Sequence, residues 1–229
     1  MKFSSSILGL VVLAVAATSC SKDKTITPTP VPADPAAHVV SVMKFNGDLT
    51  DSTGKILSTG IVGSASYAAD RNGVPNGALY LNGSTKIEYA DVPVNGKGMT
   101  MTVWVKYGTF GQGLQHFVRL MDGNGGITLF QSNDRFGSSV SVPSTNSAEG
   151  ASMDNNWHHL AMSFDGSDIK VYIDGSLVST INNPGSIGDS KRLMLMGGWN
   201  NYFWKGWIDD LRVFNIALDA TAIKNIVAL

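Results

Sequence analysis

The chain has 229 residues, a formal net charge of −1, 43% hydrophobic residues and a single cysteine. A near-neutral balance with neither a basic stripe nor a charge run excludes nucleic acid as a partner, and one cysteine excludes a disulfide framework. Twenty-five glycines, many in Asn-Gly and Asp-Gly pairs between short apolar runs, point to antiparallel sheet.

At the N-terminus, Lys2, an apolar run from Ile7 to Ala17 and small residues up to Cys20 read as a secretory signal over residues 1–19. The run is shorter than the ~20 residues of a membrane-spanning helix. Ala17-Thr18-Ser19-Cys20 resembles a bacterial lipobox, which implies acylation of Cys20 and an anchor of buried acyl chains. An ordinary secretory signal beside an incidental cysteine is the alternative. Lys22 and Asp23 resemble the export signals of surface lipoproteins in Gram-negative bacteria, implying an outer-membrane protein exposed at the cell surface. Residues 20–37 comprise the acylated cysteine and a tether, in which Thr25 to Pro35 hold four of the eight prolines and stay extended. Residues 38–229 are long enough for one large all-β domain.

Within that domain, turn signals recur from Asn46-Gly47 through Asn82-Gly83 to Asp174-Gly175. In MTMTVWVKY, Met99, Met101, Val103 and Val105 share one face, and Thr100, Thr102, Trp104 and Lys106 the other. Leu160, Met162 and Phe164 alternate inward and pair across the Asp165-Gly166 turn with Ile169, Val171 and Ile173. His158 and His159 point to opposite faces, cannot share a metal and read as satisfied structural histidines. In IDDLRVF the same alternation places Asp209, Leu211 and Val213 together, and Ile208, Asp210, Arg212 and Phe214 opposite. Asp219 caps a short C-terminal helix from about Ala220, with Ile223, Ile226 and Val227 as its apolar stripe.

FNGDLTDSTGK, NGVPNGALYLNGSTKIEYADVP, MTMTVWVKY, NNWHHLAMSFDGSDIKVYIDG and FWKGWIDDLRVFNIALDATAI, in that order, resemble the laminin-G-like, concanavalin A-like jelly rolls of bacterial surface and carbohydrate-processing proteins. The resemblance implies an all-β, two-sheet antiparallel jelly-roll sandwich with a short C-terminal helix. It also implies a structural calcium at Asp209, with Asn46, Asp48 and Asp51 as its natural partners because first and last strands lie side by side. Alternatively, Asp51 closes an Asx turn and Asp209 bonds to backbone. Glucanases of this fold carry paired carboxylates on one strand. The only glutamates, Glu88 and Glu149, stand far apart, and Asp165, Asp168 and Asp174 sit in or beside hairpin turns, so an enzyme is not expected.

Sugar rings stack on aromatic faces framed by hydrogen-bonding side chains. Two segments offer that mix: Trp199, Asn200, Asn201 and Tyr202, and the stretch carrying Asn133 and Arg135 with His116 on a neighbouring segment. Polar hairpins with aromatics tucked onto the sandwich edge are the bland account of both. Trp104 is a third candidate, while Phe203, Trp204 and Trp207 are assigned mainly to the core. The leading expectation is a surface-anchored, lectin-like lipoprotein that captures polysaccharide or oligosaccharide. The alternatives are a structural or adhesion module binding another protein of a surface assembly, and a glycoside hydrolase.

Overall fold

A computed structural model of the chain describes residues 34–108, 113–122, 125–141, 145–182, 185–187, 191–195 and 204–229. The signal segment, Cys20, the tether as far as residue 33, Trp199 to Tyr202 and Phe203 lie outside the described residues.

A helical turn, α1 (Pro35–His38), stands at the end of the segment read as tether, because Asp34 accepts the Ala36 amide and Pro35 presets the first turn. Strands follow in the order β1 (Val39–Met43), β2 (Ser58–Val62), β3 (Ser66–Ala68), β4 (Ala78–Asn82), β5 (Lys86–Val92), β6 (Met99–Tyr107) and β7 (Leu114–Asp122). Next come β8 (Gly125–Ser132), β9 (Arg135–Ser141), β10 (Thr145–Ser152), β11 (His158–Phe164), β12 (Asp168–Ile173), β13 (Ser176–Asn182), β14 (Lys191–Leu195) and β15 (Lys205–Phe214). The helix α2 (Ala220–Val227) closes the chain.

The strands form the expected antiparallel sandwich. The first sheet runs β13-β12-β11-β6-β15-β4-β3 with β1 also on β15, and the second runs β10-β9-β8-β7-β14-β5-β2. Met99, Met101, Val103 and Val105 of β6 join Leu160, Met162 and Phe164 of β11 in the core between them. Leu160 faces Ile173 and Phe164 faces Ile169, the pairing expected of that hairpin. The next hairpin turns on Asp174 (φ 50°) and Gly175 (φ 76°), two left-handed residues as a tight type I′ turn requires. On the outside of the first sheet, α2 is capped by Asp219 and lays Ala222, Ile223 and Ile226 over Ala161, Tyr172 and Phe214.

The strand β15 departs from the alternation read in the sequence. Asp209 faces Trp104 of β6 and Arg212 faces Thr102, so Asp210 and Leu211 together oppose Val103 in a β-bulge. Asp210 takes φ 47° there. The extra residue shifts the phase, so Ile208 joins Leu211 and Val213 in the core. Asp209 is thereby moved from the apolar side to the outer face, beside Trp207 and Arg212. Trp207 is a second correction, because it lies half-buried on that outer face against Tyr80 instead of in the core.

Trp204 does belong to the core. Its ring is wholly buried, 5.0 Å from Phe117 and 5.9 Å from Tyr107, over Gly206, where a Cβ would stand 2.5 Å from the indole. Its Nε1 donates to Gln131 Oε1 at 2.7 Å, which ties the end of the first sheet to β8 of the second. Replacing Trp204 by Ala is expected to cost about 3–5 kcal/mol. Gln131→Met, which strands the buried indole N–H, is expected to cost about 1–3 kcal/mol. Urea unfolding of the purified protein measures both.

Candidate functional site

The bulge in β15 coincides with a change of partner along one edge. β4 pairs with Lys205 to Ile208, and β1 pairs with Leu211 to Phe214, so Asp209 and Asp210 fall where one partner strand stops and the other begins. A polar pocket of about 150 Å³ opens at this notch. Asn46 follows β1 at one side of it, and Arg71 and Asn72 enter from the β3–β4 loop at the other.

Asp209 and Asp210 are each paired with an arginine. Arg71 Nη1 is ion-paired with Asp209 Oδ2, and its Nη2 lies 3.8 Å from Asp210 Oδ2. Arg212 holds Asp210 with two bonds, Nε to Oδ1 at 3.0 Å and Nη2 to Oδ2 at 2.8 Å. Burial pushes the Asp209 carboxyl up to about 6, despite the Arg71 charge that pulls it down. The guanidinium of Arg71 also lies 5.0 Å from the centroid of the half-buried Trp104 ring. Across the sheet from Trp104 lies His159, 1% exposed, its Nδ1 without a hydrogen-bond partner, and burial holds its pKa down at about 4. At pH 7 the ring is therefore neutral.

One side-chain step along β15 from Asp209, the same outer face carries an aromatic ledge. Tyr80 and Trp207 face each other across β4 and β15, ring centroids 5.1 Å apart, and Lys106 Nζ lies 5.6 Å from the Trp207 ring centroid. All three are half-buried. A periodic reading of β15 misses this ledge, because the bulge that separates the Trp207 face from the Leu211 face has no mark in the sequence beyond two adjacent aspartates.

The other sequence-derived candidates are distributed differently. Asn46 reaches the Asp209 notch, but Asp51 does not offer it a ligand. Asp51 Oδ1 accepts the Val42 and Thr53 amides, and Oδ2 accepts the Lys55 and Ile56 amides and the Thr53 hydroxyl. Burial alone would raise the Asp51 pKa, but these donors outweigh it and hold the carboxyl below its ordinary value. Asp48 Oδ1 accepts the Thr50 amide in an Asx turn. The four residues therefore do not form one donor set, and among the described residues no group of three His, Cys, Asp or Glu converges as a metal site.

On the second sheet, His116 lies opposite Phe130, 6.4 Å between rings, and burial together with the nearby Arg119 charge holds its pKa down at about 4. Asn133 and Arg135 stand at the β8–β9 turn close by, but Asn133 accepts the Gly113 amide and Arg135 donates to the Gly150 carbonyl, so both serve the backbone. Glu88 and Glu149 lie on β5 and β10, five strand spacings or roughly 24 Å apart, against the roughly 5–9.5 Å of a glycosidase pair. A groove of about 540 Å³ between α1 and α2 is lined chiefly by apolar residues such as Val39, Phe214 and Ile226.

A laminin-G family model, described as the concanavalin A-like lectin/glucanases superfamily, matches residues 81–224. The chain belongs to that superfamily. Among solved structures of this concanavalin A-like fold, domain 4 of AbnA, a GH43 extracellular arabinanase from Geobacillus stearothermophilus, in complex with arabinotriose, superposes with a TM-score of 0.67. It is 27% identical over 83% of this chain and 98% of that domain. The binding domain of botulinum neurotoxin serotype D/C VPI 5993 superposes at 0.68 with 15% identity over 85% of this chain. A botulinum neurotoxin DC binding domain in complex with rat synaptotagmin II does so at 0.68 with 16% identity over 84%. The chain spans 53% and 52% of those two, and the likeness is one of fold. Comparison with curated protein sequences gives no match. The fold is thus shared by binding domains.

His158, the neighbour of His159, makes a separate surface clamp. Its Nδ1 lies 2.8 Å from Asp174 Oδ2 and its Nε2 lies 3.0 Å from Asp154 Oδ1. Burial would lower its pKa, but the bonds and charges of Asp174 and Asp154 prevail and raise it. A raised folded-state value contributes stability fully present below about pH 6.5 and lost as pH climbs through the folded pKa. Asp154→Asn is therefore expected to lower the melting temperature at about pH 5.5 and leave it nearly unchanged at about pH 9. Thermal melts at the two pH values, with an NMR titration of the His158 ring, check this.

Proposed function

We propose that the chain is a non-catalytic carbohydrate-binding domain that captures oligosaccharide on the outer face of its first sheet, and that a lipid anchor on Cys20 holds it at the outer membrane, facing outward. The observation that carries the reading is the Tyr80–Trp207 ledge lying one step from a pocket furnished with Asn46, Asn72, Arg71 and Asp209. Sugars present an apolar C–H face and a rim of hydroxyls, and such sites pair an aromatic surface with a few fixed polar groups. The pairing of Asp209 and Asp210 with Arg71 and Arg212 leaves the bulge itself without net charge, which suits a neutral sugar. The arabinotriose complex of the similar arabinanase domain supports the class of ligand.

A second reading, a module that binds another protein of a surface assembly, is favoured by β2, which among the described strands is paired on one side only. Leu57, just before it, and Ile61 and Val62 are exposed at 78%, 48% and 64%, and an open apolar edge suits an added strand.

With arabinotriose and a panel of neutral oligosaccharides as ligands, calorimetric titration tests the first reading. Tyr80→Ala combined with Trp207→Ala is expected to weaken binding about ten-fold or more, since an aromatic platform contributes about 1–3 kcal/mol. Unchanged affinity in that variant, with loss on combining Trp199→Ala and Tyr202→Ala, would move the site to those two residues. The anchor is tested separately. Cys20→Ala is expected to abolish incorporation of a labelled fatty acid and to release the protein from the membrane fraction.

A further inference from the structure

The calcium implied by the family resemblance does not fit the residues around Asp209. Calcium takes six to eight oxygens, yet each Asp51 oxygen already accepts two or three donors, and an arginine occupies the space beside Asp209.

That arginine is held in place from three sides. The loop carrying it is pinned by Asp70, whose Oδ1 accepts the Asn72 and Val74 amides at 2.8 Å each and whose carbonyl accepts the Gly73 amide. Asp70 itself packs on Gly77, where a Cβ would stand 2.9 Å from the aspartate Cβ. The guanidinium then spans Asp209 and Asp210 while resting on the face of Trp104, a contact open to a weakly hydrated planar cation and not to a strongly hydrated divalent ion. With Arg212 on Asp210, two carboxylates meet two guanidiniums, and the charge of the bulge is balanced by the chain itself.

We propose that Arg71 is a built-in cation in the place the resemblance assigns to calcium, so that the bulge at Asp210–Leu211, and the pocket beside it, form without a metal. The stability part of this is independent of the carbohydrate reading. Its consequence for ligand capture, which rests on that reading, is binding that does not require calcium.

The experiment measures melting temperatures of the purified wild type, Arg71→Gln, Asp209→Asn and the double variant, each in chelator and in millimolar calcium. The wild type is expected to melt at the same temperature in both. Arg71→Gln is expected to melt lower by about 5 °C or more, because it leaves a buried carboxylate without its partner. Adding Asp209→Asn to it is expected to restore most of the loss, by removing that uncompensated charge. Two results would overturn the proposal: a wild-type melting temperature that falls in chelator and returns with calcium, or an Arg71→Gln penalty as large in the Asp209→Asn background as in the wild type. Neither readout depends on sugar binding, so failure to bind arabinotriose would leave the proposal standing.

Discussion

The bulge at Asp210–Leu211 is the constraint on which the outer face of the first sheet depends. One extra residue in β15 lets Ile208 and Leu211 both face the core although three positions separate them, and it sends Asp209 outward. It also marks the point where β4 gives way to β1 along one edge of the strand. The gap between those two partners is the notch, and the residues on either side of it come from parts of the chain that are distant in sequence. Bulges that re-aim side chains beside a site are a recurrent use of this irregularity.

Two carboxylates on a largely covered surface demand compensation, since an unpaired buried charge is costly. The compensation comes from Arg71 and Arg212. Arg71 rests on Trp104 and is delivered by a loop that Asp70 closes, and Arg212 makes two parallel bonds to Asp210. The same tryptophan that supports Arg71 packs edge-on against His159 at 5.4 Å, so the electrostatics of the notch and the packing of the sheet share a side chain.

Trp204, Trp104, Trp207 and Tyr80 differ in the hydrogen bonds and space available to them. Trp204 is buried because Gln131 accepts its N–H and Gly206 leaves room for its ring. Trp104 carries Arg71 on its face, as Trp207 carries Lys106. Among the described residues, Trp207 and Tyr80 face each other across two strands, both half-buried on the outer face. A concanavalin A-like sandwich with this partition has an aromatic ledge and a polar notch on one face, which is the combination that oligosaccharide recognition uses.

What the sequence by itself determined is whatever depends on local pattern. The β6 and β11–β12 alternations, the Asp174-Gly175 hairpin and the Asp219-capped helix were legible because side-chain period, turn chemistry and capping act over a few residues. The adjacency of first and last strands was also legible, through the family resemblance. The face of Asp209 was not, because a bulge resets the period of two and is set by how β15 fits three neighbouring strands at once. The partner of Asp209 was not either. Arg71 lies 138 residues away in sequence, and only the tertiary fold brings its loop to the notch. The place of Trp207 follows the same rule, since strand alternation says which residues share a face and packing alone decides which face is covered.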